Sequence, residues 1–562
     1  MNFRSQKIED QPGPALDAAP SSGGGFLRRR DSAGWPLLLC VLGILATGYP
    51  TLMSGFAEVQ GGLGDPLLVN FTLEHSYRWV TGMPLAEELL SPPIFYPVRG
   101  VATYTDLLLG LAPLYWPWRF AGCGPHTAYQ LWMLCCWALN FMACYLLLKK
   151  GFRVSAFAAS MGAALFAFGS PRMANVMHQQ LVAQFFLVAA IWAAIELARL
   201  RHQPEISARN WVWSAVLCAA LFLQFITAFY PLFFVLLAAV AALTAVSFSA
   251  PIRAEIFQFL RQNALPLTVF ATLAAIAAAP VLSRYLQSAE ILGYRDYAVD
   301  RLPRLASWFL MGKSNLIYSR LPDVPWTRGM FMPLHHNGIG MVTTVVGAMG
   351  LWQARRNRVV QLMLIGLAAL FVCTLRLPGD LSLWQVVREV VPGAASLRAV
   401  ARVGMMALFP AAVGIAIFMD RAARRSVWLV APLSLIVMAE QFHTPLTFDK
   451  QAMVGRVAEI AARVPEGAET FLLVSATGES PYDPHDTAPW VAFATDTPTV
   501  NGRFGHRPRK WRLRNVDAVT PEDIDRIRLF LRRWVSRNNL DRTRVVWLPM
   551  EPGITLPAVR GR

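Results

Sequence analysis

The apolar block WPLLLCVLGILATGYPTL (Trp35–Leu52) and the glycine-rich loop GGLGDP (Gly61–Pro66) that follows it decide the fold class. The block is long and apolar enough for a membrane-spanning helix, which needs about 20 predominantly apolar residues. Three consecutive arginines, Arg28–Arg30, precede it, and the positive-inside rule keeps such residues on the cytoplasmic side. The loop is therefore predicted to lie on the outer face of the membrane.

The composition of the whole chain follows the same pattern. Of its 562 residues, 55% are hydrophobic and 15% are charged, whereas soluble globular proteins average roughly 45–50% apolar and about 25% charged residues. Apolar blocks long enough to span a bilayer alternate with short basic loops, which is typical of a polytopic membrane protein. The net charge of +17 lies mostly in those loops. Topology thus accounts for the charge without a nucleic-acid partner.

The apolar blocks predict an α-helical integral membrane protein with about 11 transmembrane helices. The segment 104–119 is also apolar, but counting it as a span would move five basic loops to the outer face, against the positive-inside rule. We therefore predict a helix at the outer interface there, anchored by Trp116 and Trp118. The remaining predicted spans lie at 35–52, 127–148, 153–170, 180–198, 211–227, 229–249, 264–283, 337–353, 358–375, 402–419 and 426–441.

Three predicted parts make up the chain. Residues 1–32, rich in Gly, Ser, Pro and charged residues, predict a disordered cytoplasmic tail. Residues 33–442 form the transmembrane domain, and 53–126 is its first outer loop. Residues 443–562 are predicted to form a separate, small extracytoplasmic α/β domain.

Strand and helix signals within the C-terminal part support that α/β prediction. Thr470–Ser475 and Thr543–Leu548 are short apolar runs typical of strands. Pro521–Asn538 between them predicts a helix with Thr520 as its N-cap, acidic residues in the first turn and arginines later.

The first outer loop concentrates side chains that can do chemistry. Its glycines turn the chain before Asp65, which the following proline leaves at the N-cap of a helix. That helix is amphipathic, so Glu74 and His75 can project away from its apolar face, and Asp106 lies near the start of the interfacial segment. Capping alone would explain an isolated aspartate. An acid at the membrane surface beside a second acid and a histidine exceeds that requirement, so we expect Asp65 to be functional.

The order of elements in 33–200 resembles the GT-C superfamily of membrane glycosyltransferases, which use polyprenyl-phosphate-linked sugars. The shared features are a span, an outer loop with an acid, an interfacial helix, a Pro-Pro stretch, a second interfacial helix and a basic inner turn. The order is similar to the protein O-mannosyltransferase and aminoarabinose transferase branch, with Asp65 at the first-loop acid position and Pro92-Pro93 at the Pro-Pro element. The whole length also resembles bacterial multi-pass proteins described as YfhO-like.

The resemblance implies an enzyme of the plasma (inner) membrane that moves a sugar from a polyprenyl-phosphate donor to an acceptor hydroxyl on the outer face. A carboxylate deprotonates that hydroxyl as it attacks the anomeric carbon, and the leaving phosphate needs positive charge. We therefore expect Asp65 as general base and Asp106 as a second catalytic carboxylate. Arg402, Arg398 and Arg172 are the expected phosphate ligands, and Glu74, His75, His178 and Gln179 are the expected substrate-binding residues.

Two questions stay open at this point. The positive charge at the phosphate can come from arginine and lysine or from a divalent metal, Mg²⁺ or Mn²⁺, because many relatives have paired acids where Pro66 follows Asp65 here. A lipid-linked glycan flippase and a non-catalytic scaffold are the alternative functions. The absence of matching sequence halves and the scarcity of acids in the spans speak against a transporter, while the missing acid pair favours a scaffold.

Overall fold

The computed structural model describes residues 31–203, 205–293, 299–321, 335–478, 481–554 and 556. Residues 1–30 of the predicted tail lie outside the described residues. In chain order the first half contains α1 (Gly34–Met53), β1 (Glu58–Gln60), α2 (Asp65–Thr81), α3 (Ala112–Phe120), α4 (Pro125–Leu146), α5 (Ala156–Phe168), α6 (Ser170–Met173), α7 (Phe185–Leu200), α8 (Ala208–Thr227), α9 (Phe229–Ser247) and α10 (Ala250–Leu292). The second half contains α11 (Met341–Gln353), α12 (Arg358–Thr374), α13 (Trp384–Val390), α14 (Leu408–Ala423), α15 (Val427–Ala439), β2 (Thr447–Asp449), α16 (Lys450–Ala461), β3 (Thr470–Val474), α17 (Pro484–Thr495), α18 (Pro521–Arg537) and β4 (Val545–Pro549).

The apolar helices make this chain an α-helical integral membrane protein. Within the described residues, 7 helices are long and apolar enough to cross a membrane, or up to 8 if the bent pair formed by α12 and the segment Pro378–Val390 is one span. The predicted number of about 11 spans stays a prediction. Three of the predicted spans coincide with α5, α11 and α15, which have 13 residues each. A helix of that length is about 20 Å long, against a hydrocarbon core of about 30 Å.

The centre of the bundle is built from small residues. Helix α5 is buried along its whole length and packs against α1, α4 and α14. A Cβ atom on Gly350 of α11 would lie only 1.9 Å from the carbonyl oxygen of Gly414 in α14. Such close backbone approach is what small residues allow between membrane helices. This packing gives the loops at the helix ends a rigid base.

The loop between α6 and α7 is held to that base by polar side chains. Asn140 of α4 donates a hydrogen bond to the carbonyl of Val182 at 2.9 Å and accepts one from the backbone of Gln184 at 2.9 Å. Since the loop is fixed at this point, His178 shortly before it has a defined position.

The C-terminal part has the predicted strand–helix–strand order. Strands β3 and β4 pair in parallel, and α18 begins after Thr520, whose side chain caps it together with Asp523. This part packs directly on the first loop: Phe95 donates a backbone hydrogen bond to Asn501 at 2.9 Å, and Thr499 donates one to Pro93 at 3.0 Å. Strand β1 of the first loop also pairs antiparallel with β2. The C-terminal part and the first loop thus form one continuous surface.

Candidate functional site

Asp65 reaches its position through a glycine turn. Gly61, Gly62 and Gly64 all have positive φ angles, of 103°, 72° and 106°, a backbone region that other residues rarely adopt. Gly64 is the N-cap of α2 and Asp65 is the first helical residue, so the predicted N-cap lies one residue earlier than expected. No side chain caps this helix end, and the Asp65 carboxylate turns instead toward the loop that carries His178.

The centre of the site is a hydrogen bond between His178 and Asp65. His178 Nδ1 lies 2.6 Å from Asp65 Oδ2, and the Asp65 side chain keeps 31% of its surface exposed. Burial alone would raise the pKa of Asp65, but the hydrogen bond from His178 and the charges of His178, Arg503 and Arg402 lower it below its ordinary value. Burial lowers the pKa of His178. At neutral pH the pair is therefore an ionised, accessible carboxylate and a neutral imidazole that donates its Nδ1 proton.

Two arginines from the segment before α14 lie near this pair. Arg402 acts electrostatically on both Asp65 and His178, and Arg398 acts on the same two groups. The Arg402 guanidinium lies 5.5 Å from the centre of the Tyr230 ring, and the Tyr230 hydroxyl accepts the backbone N–H of Arg398 at 2.6 Å. The Nε of Arg402 is buried without a hydrogen-bond partner in the described part of the chain. This cation has donor capacity left for an anionic ligand.

The C-terminal part adds an acid–arginine group that the sequence analysis did not include in the site. Arg503 bridges Asp486 at 2.7 Å and Asp483 at 3.2 Å, and it also lowers the pKa of Asp65. A Cβ atom on Gly64 would lie 3.8 Å from Asp486 Oδ2. Burial, together with the neighbouring acids Asp483 and Asp65, outweighs the effect of Arg503 and raises the pKa of Asp486 to about 7.

Asp106 lies in a different environment from Asp65. Its carboxylate accepts the backbone N–H of Phe229 at 3.1 Å and so caps α9. Burial raises its pKa to about 6, although the hydrogen bond from Phe229 and the charge of Arg402 act in the opposite direction. Arg402 thus lies within electrostatic reach of both aspartates, but the contact of Asp106 is one that stabilises a helix end.

Glu74 and His75 lie inside the first loop rather than at the Asp65 group. Glu74 accepts hydrogen bonds from the Tyr115 hydroxyl at 2.7 Å and from Arg119 Nε at 2.8 Å, and its side chain is 1% exposed. His75 Nε2 lies 3.2 Å and 3.1 Å from the carbonyl oxygens of Glu88 and Leu89. Burial lowers the pKa of His75 to about 4. These contacts hold α2 to α3 and to the loop after α2.

Arg172 and Gln179 support the His178 loop. Arg172 is buried and donates to the carbonyls of Phe166, at 3.0 Å, and Val182. Gln179 accepts the Tyr129 hydroxyl. Of the nine residues expected at the site, the structure therefore brings Asp65, His178, Arg398 and Arg402 together, with Gln179 next to them in the chain. Asp106, Arg172, Glu74 and His75 make buried contacts elsewhere.

A divalent metal finds no ready ligand set here. In the described ranges no group of three or more His, Cys, Asp and Glu side chains could hold a metal ion. Asp65 has His178 as its partner and Asp486 has Arg503. The residues present do not fit a metal centre, and the positive charge of the group comes from arginine side chains.

Comparison with known proteins gives a family and a set of similar structures. The profile of the family described as Domain of unknown function (DUF6311) matches residues 83–443. No curated protein matches the sequence.

The chain is similar to the archaeal oligosaccharyltransferase AglB from Archaeoglobus fulgidus, at 10% identity and a TM-score of 0.49, over 90% of this chain and 68% of that one. It is similar to the arabinofuranosyltransferase AftD from Mycobacteria, at 12% identity and a TM-score of 0.47, over 85% of this chain but only 32% of AftD. It is also similar to ArnT from Cupriavidus metallidurans bound to undecaprenyl phosphate, at 12% identity and a TM-score of 0.36, over 83% of this chain and 86% of that one. These are membrane glycosyltransferases of the kind that the sequence resemblance indicated.

Proposed function

We propose that this chain, which belongs to the family described as Domain of unknown function (DUF6311), is an integral membrane glycosyltransferase with Asp65 as its general base. The donor is a sugar linked to a polyprenyl phosphate, and the acceptor is a hydroxyl group presented at the outer face of the membrane. The observation that carries the proposal is the ionised, part-exposed Asp65 carboxylate, held by His178 and surrounded by arginines.

Asp65 can take the proton that the reaction releases. The acceptor oxygen attacks the anomeric carbon, the bond from that carbon to the phosphate oxygen breaks, and the hydroxyl proton passes to Asp65. His178 occupies Oδ2 of Asp65, which leaves Oδ1 for the incoming hydroxyl. The Nε2 of His178 is buried without a partner in the described residues, so His178 acts through Asp65 as a positioning residue.

Arg402 and Arg398 stabilise the phosphate that leaves. The departing polyprenyl phosphate gains negative charge on the oxygen that was bound to the sugar, and cations near that oxygen favour the transition state. Arg402 has a free Nε donor, and Arg398 is held next to it by Tyr230. Guanidinium groups pair well with phosphate oxygens because their donors form a planar fork.

The test is a transfer assay with the full-length protein in lipid nanodiscs. Undecaprenyl-phosphate sugars labelled in the sugar are supplied with extracted cell-envelope glycans, and the loss of label from the lipid fraction is followed. The wild type is expected to consume at least one donor, and Asp65→Asn is expected to lose about 10²–10⁴-fold in rate, as for removal of a general base.

Asp525→Asn is the matched control, because its side chain is 74% exposed and it belongs to the first turn of α18. It should keep the wild-type rate. Turnover by Asp65→Asn at the wild-type rate would contradict the assignment of the base. Movement of the lipid across the bilayer without loss of label would indicate a flippase instead.

A further inference from the structure

The segment RFGHRPRKWRLR (residues 503–514) contains six basic residues and no acid, and it starts inside the site at Arg503. The proposed function uses the arginines near α14 and leaves this segment without a role. Its six cations are Arg503, Arg507, Arg509, Lys510, Arg512 and Arg514; we call them the basic strip.

The backbone of the strip is anchored by its apolar residues. Trp511 and Leu513 are buried, at 6% and 1% exposure, and the Trp511 ring meets the Phe95 ring edge-on at 5.0 Å. A Cβ atom on Gly505 would lie 2.6 Å from the carbonyl oxygen of Tyr104, which fixes the chain against the first loop. Because alternate residues are buried, the side chains of Arg512 and Arg514 face solvent, as do those of Arg509 and Lys510. The cations are thus displayed on a fixed frame.

The inner end of the strip is continuous with the phosphate group of arginines. Burial and the charges of Arg514, Arg503 and Arg398 together lower the pKa of Arg507. The Nε of Arg507 is buried without a partner in the described part of the chain. Arg398 in turn is within electrostatic reach of Arg301 and Arg402. Positive charge therefore runs without interruption from Asp65 to the exposed end of the strip.

The acids at this surface do not neutralise these cations. Asp483 and Asp486 are both engaged by Arg503, and burial raises the pKa of Asp486 to about 7, so half of its charge is lost at neutral pH. A single phosphodiester of a lipid-linked sugar supplies one negative charge. Repulsion among the remaining guanidinium groups would be relieved by a second anion.

We propose that the basic strip binds the acceptor, and that the acceptor is a saccharide chain carrying phosphate or carboxylate groups. This inference rests on the proposed function, since the strip would lead such a chain to the hydroxyl-activating carboxylate of Asp65. A chain lying along the strip passes four exposed cations, Arg509, Lys510, Arg512 and Arg514, before it reaches Arg507 and the site.

The test measures equilibrium binding, without donor, to the full-length protein in nanodiscs of neutral lipid. The probes are tetragalacturonate, phosphorylated pentamannose and the neutral methyl ester of tetragalacturonate. The wild type is expected to bind at least one anionic probe, more weakly as NaCl rises from 50 to 500 mM because salt screens exposed charges. The double variant Arg512→Gln/Arg514→Gln is expected to bind it about tenfold more weakly, as for the loss of charge-assisted hydrogen bonds.

The control variant is Arg533→Gln/Arg537→Gln, which removes two exposed arginines of α18 and should bind within about twofold of the wild type. If the strip variant has an altered thermal unfolding profile, Arg512→Lys/Arg514→Lys keeps the charge and should restore binding. Three outcomes would overturn the proposal: unchanged binding by the strip variant, equal binding of the neutral ester, and tighter binding of tetraglutamate than of either saccharide, which would indicate an acidic peptide as partner.

Binding and transfer fail separately. Asp65→Asn is expected to retain the anionic probe, since the carboxylate of Asp65 is not a ligand of the strip. If no donor supports transfer but the strip binds its probe, the proposed function fails and the anion site stands. If transfer depends on Asp65 but the strip variant transfers and binds as the wild type does, the inference about the acceptor fails alone.

Discussion

Asp65 and Glu74 lie on the same helix, less than three turns apart, and their surroundings are opposite. Asp65 has one hydrogen-bond partner, His178, keeps 31% of its side chain exposed and is approached by arginines from distant parts of the chain. Glu74 is 1% exposed and its oxygens are filled by Tyr115 and Arg119. An acid with an unfilled oxygen and excess positive charge nearby is suited to chemistry. An acid whose oxygens are all paired stabilises the fold.

The largest expected effect separates these two acids directly. Glu74→Gln leaves Arg119 without its buried partner and is expected to cost about 3–5 kcal/mol of stability. Asp65→Asn removes a part-exposed carboxylate and should change stability by less than about 1 kcal/mol. Chemical unfolding of both variants, followed by tryptophan fluorescence, measures the difference. Equal destabilisation by the two changes would remove the distinction between them.

The next effect concerns the leaving phosphate. Arg402→Gln removes a cation whose Nε has no partner within the described residues, so transfer efficiency is expected to fall by about 10–100-fold, the range for a hydrogen bond to a charged group. Arg284→Gln, which changes an exposed arginine of α10, is the control. Steady-state kinetics at varied donor concentration gives both values. Wild-type efficiency for Arg402→Gln would move the phosphate site elsewhere.

His178 is expected to act through the orientation of Asp65. His178→Ala removes the donor to Oδ2 and should lower kcat by about tenfold or more, as for a group that positions a catalytic base. His178→Asn retains an N–H donor and should recover part of the loss, with little change in donor KM. A rise in KM without a fall in kcat would instead make His178 a substrate ligand.

Asp486 is expected to make donor binding depend on pH. Burial raises its pKa from the ordinary 3.8 to about 7, with Arg503, Asp483 and Asp65 as its charged neighbours. As pH rises through about 7, the carboxyl loses its proton and adds negative charge beside Arg503. Donor KM should then increase about threefold to fivefold, as for one added charge across a partly hydrated site at about 1 kcal/mol.

Asp486→Asn should keep KM constant between pH 6 and pH 8. The same shift affects stability: the protonated carboxyl favours the folded state below pH 4, and this contribution is lost as pH rises toward 7. Thermal unfolding of the wild type from pH 4 to pH 8 measures this, and a KM that rises equally in Asp486→Asn would assign the titration to another group.

The smallest effect is expected at Asp106. Its carboxylate accepts one backbone N–H, from Phe229, and an asparagine side chain can accept the same hydrogen bond. Asp106→Asn should therefore change kcat by less than about threefold and stability by about 1 kcal/mol at most. A loss comparable to that of Asp65→Asn would restore Asp106 as a catalytic carboxylate.

The sequence predicts the membrane class and the element order because their signals are local. An apolar block such as Trp35–Leu52 or an N-cap such as Thr520 can be recognised within about 20 residues, and both coincide with elements of the structure. Asp65 and His178 could each be named from their loops. Their pairing could not be predicted, since they lie 113 positions apart and meet only after the bundle has packed.

The contribution of the C-terminal part depends on tertiary contacts alone. Arg503 was recognisable as one of several basic residues in a turn-rich stretch, and Asp486 belongs to the acid-rich PYDPHD run, but neither pattern indicates contact with the first loop. Glu74 shows the opposite limit. Its place on an amphipathic helix predicts exposure, whereas the packing of α3 on α2 buries it beneath Tyr115 and Arg119.

Single-turnover transfer by Asp65→Asn tests the central claim most directly, because it separates donor binding from chemistry. Donor is bound to an excess of protein in nanodiscs, its Kd is measured first, and acceptor is then added. We expect a Kd within about threefold of the wild type and a transfer rate lower by at least about 10²-fold. A transfer rate within tenfold of the wild type at the same Kd would show that Asp65 is not the base.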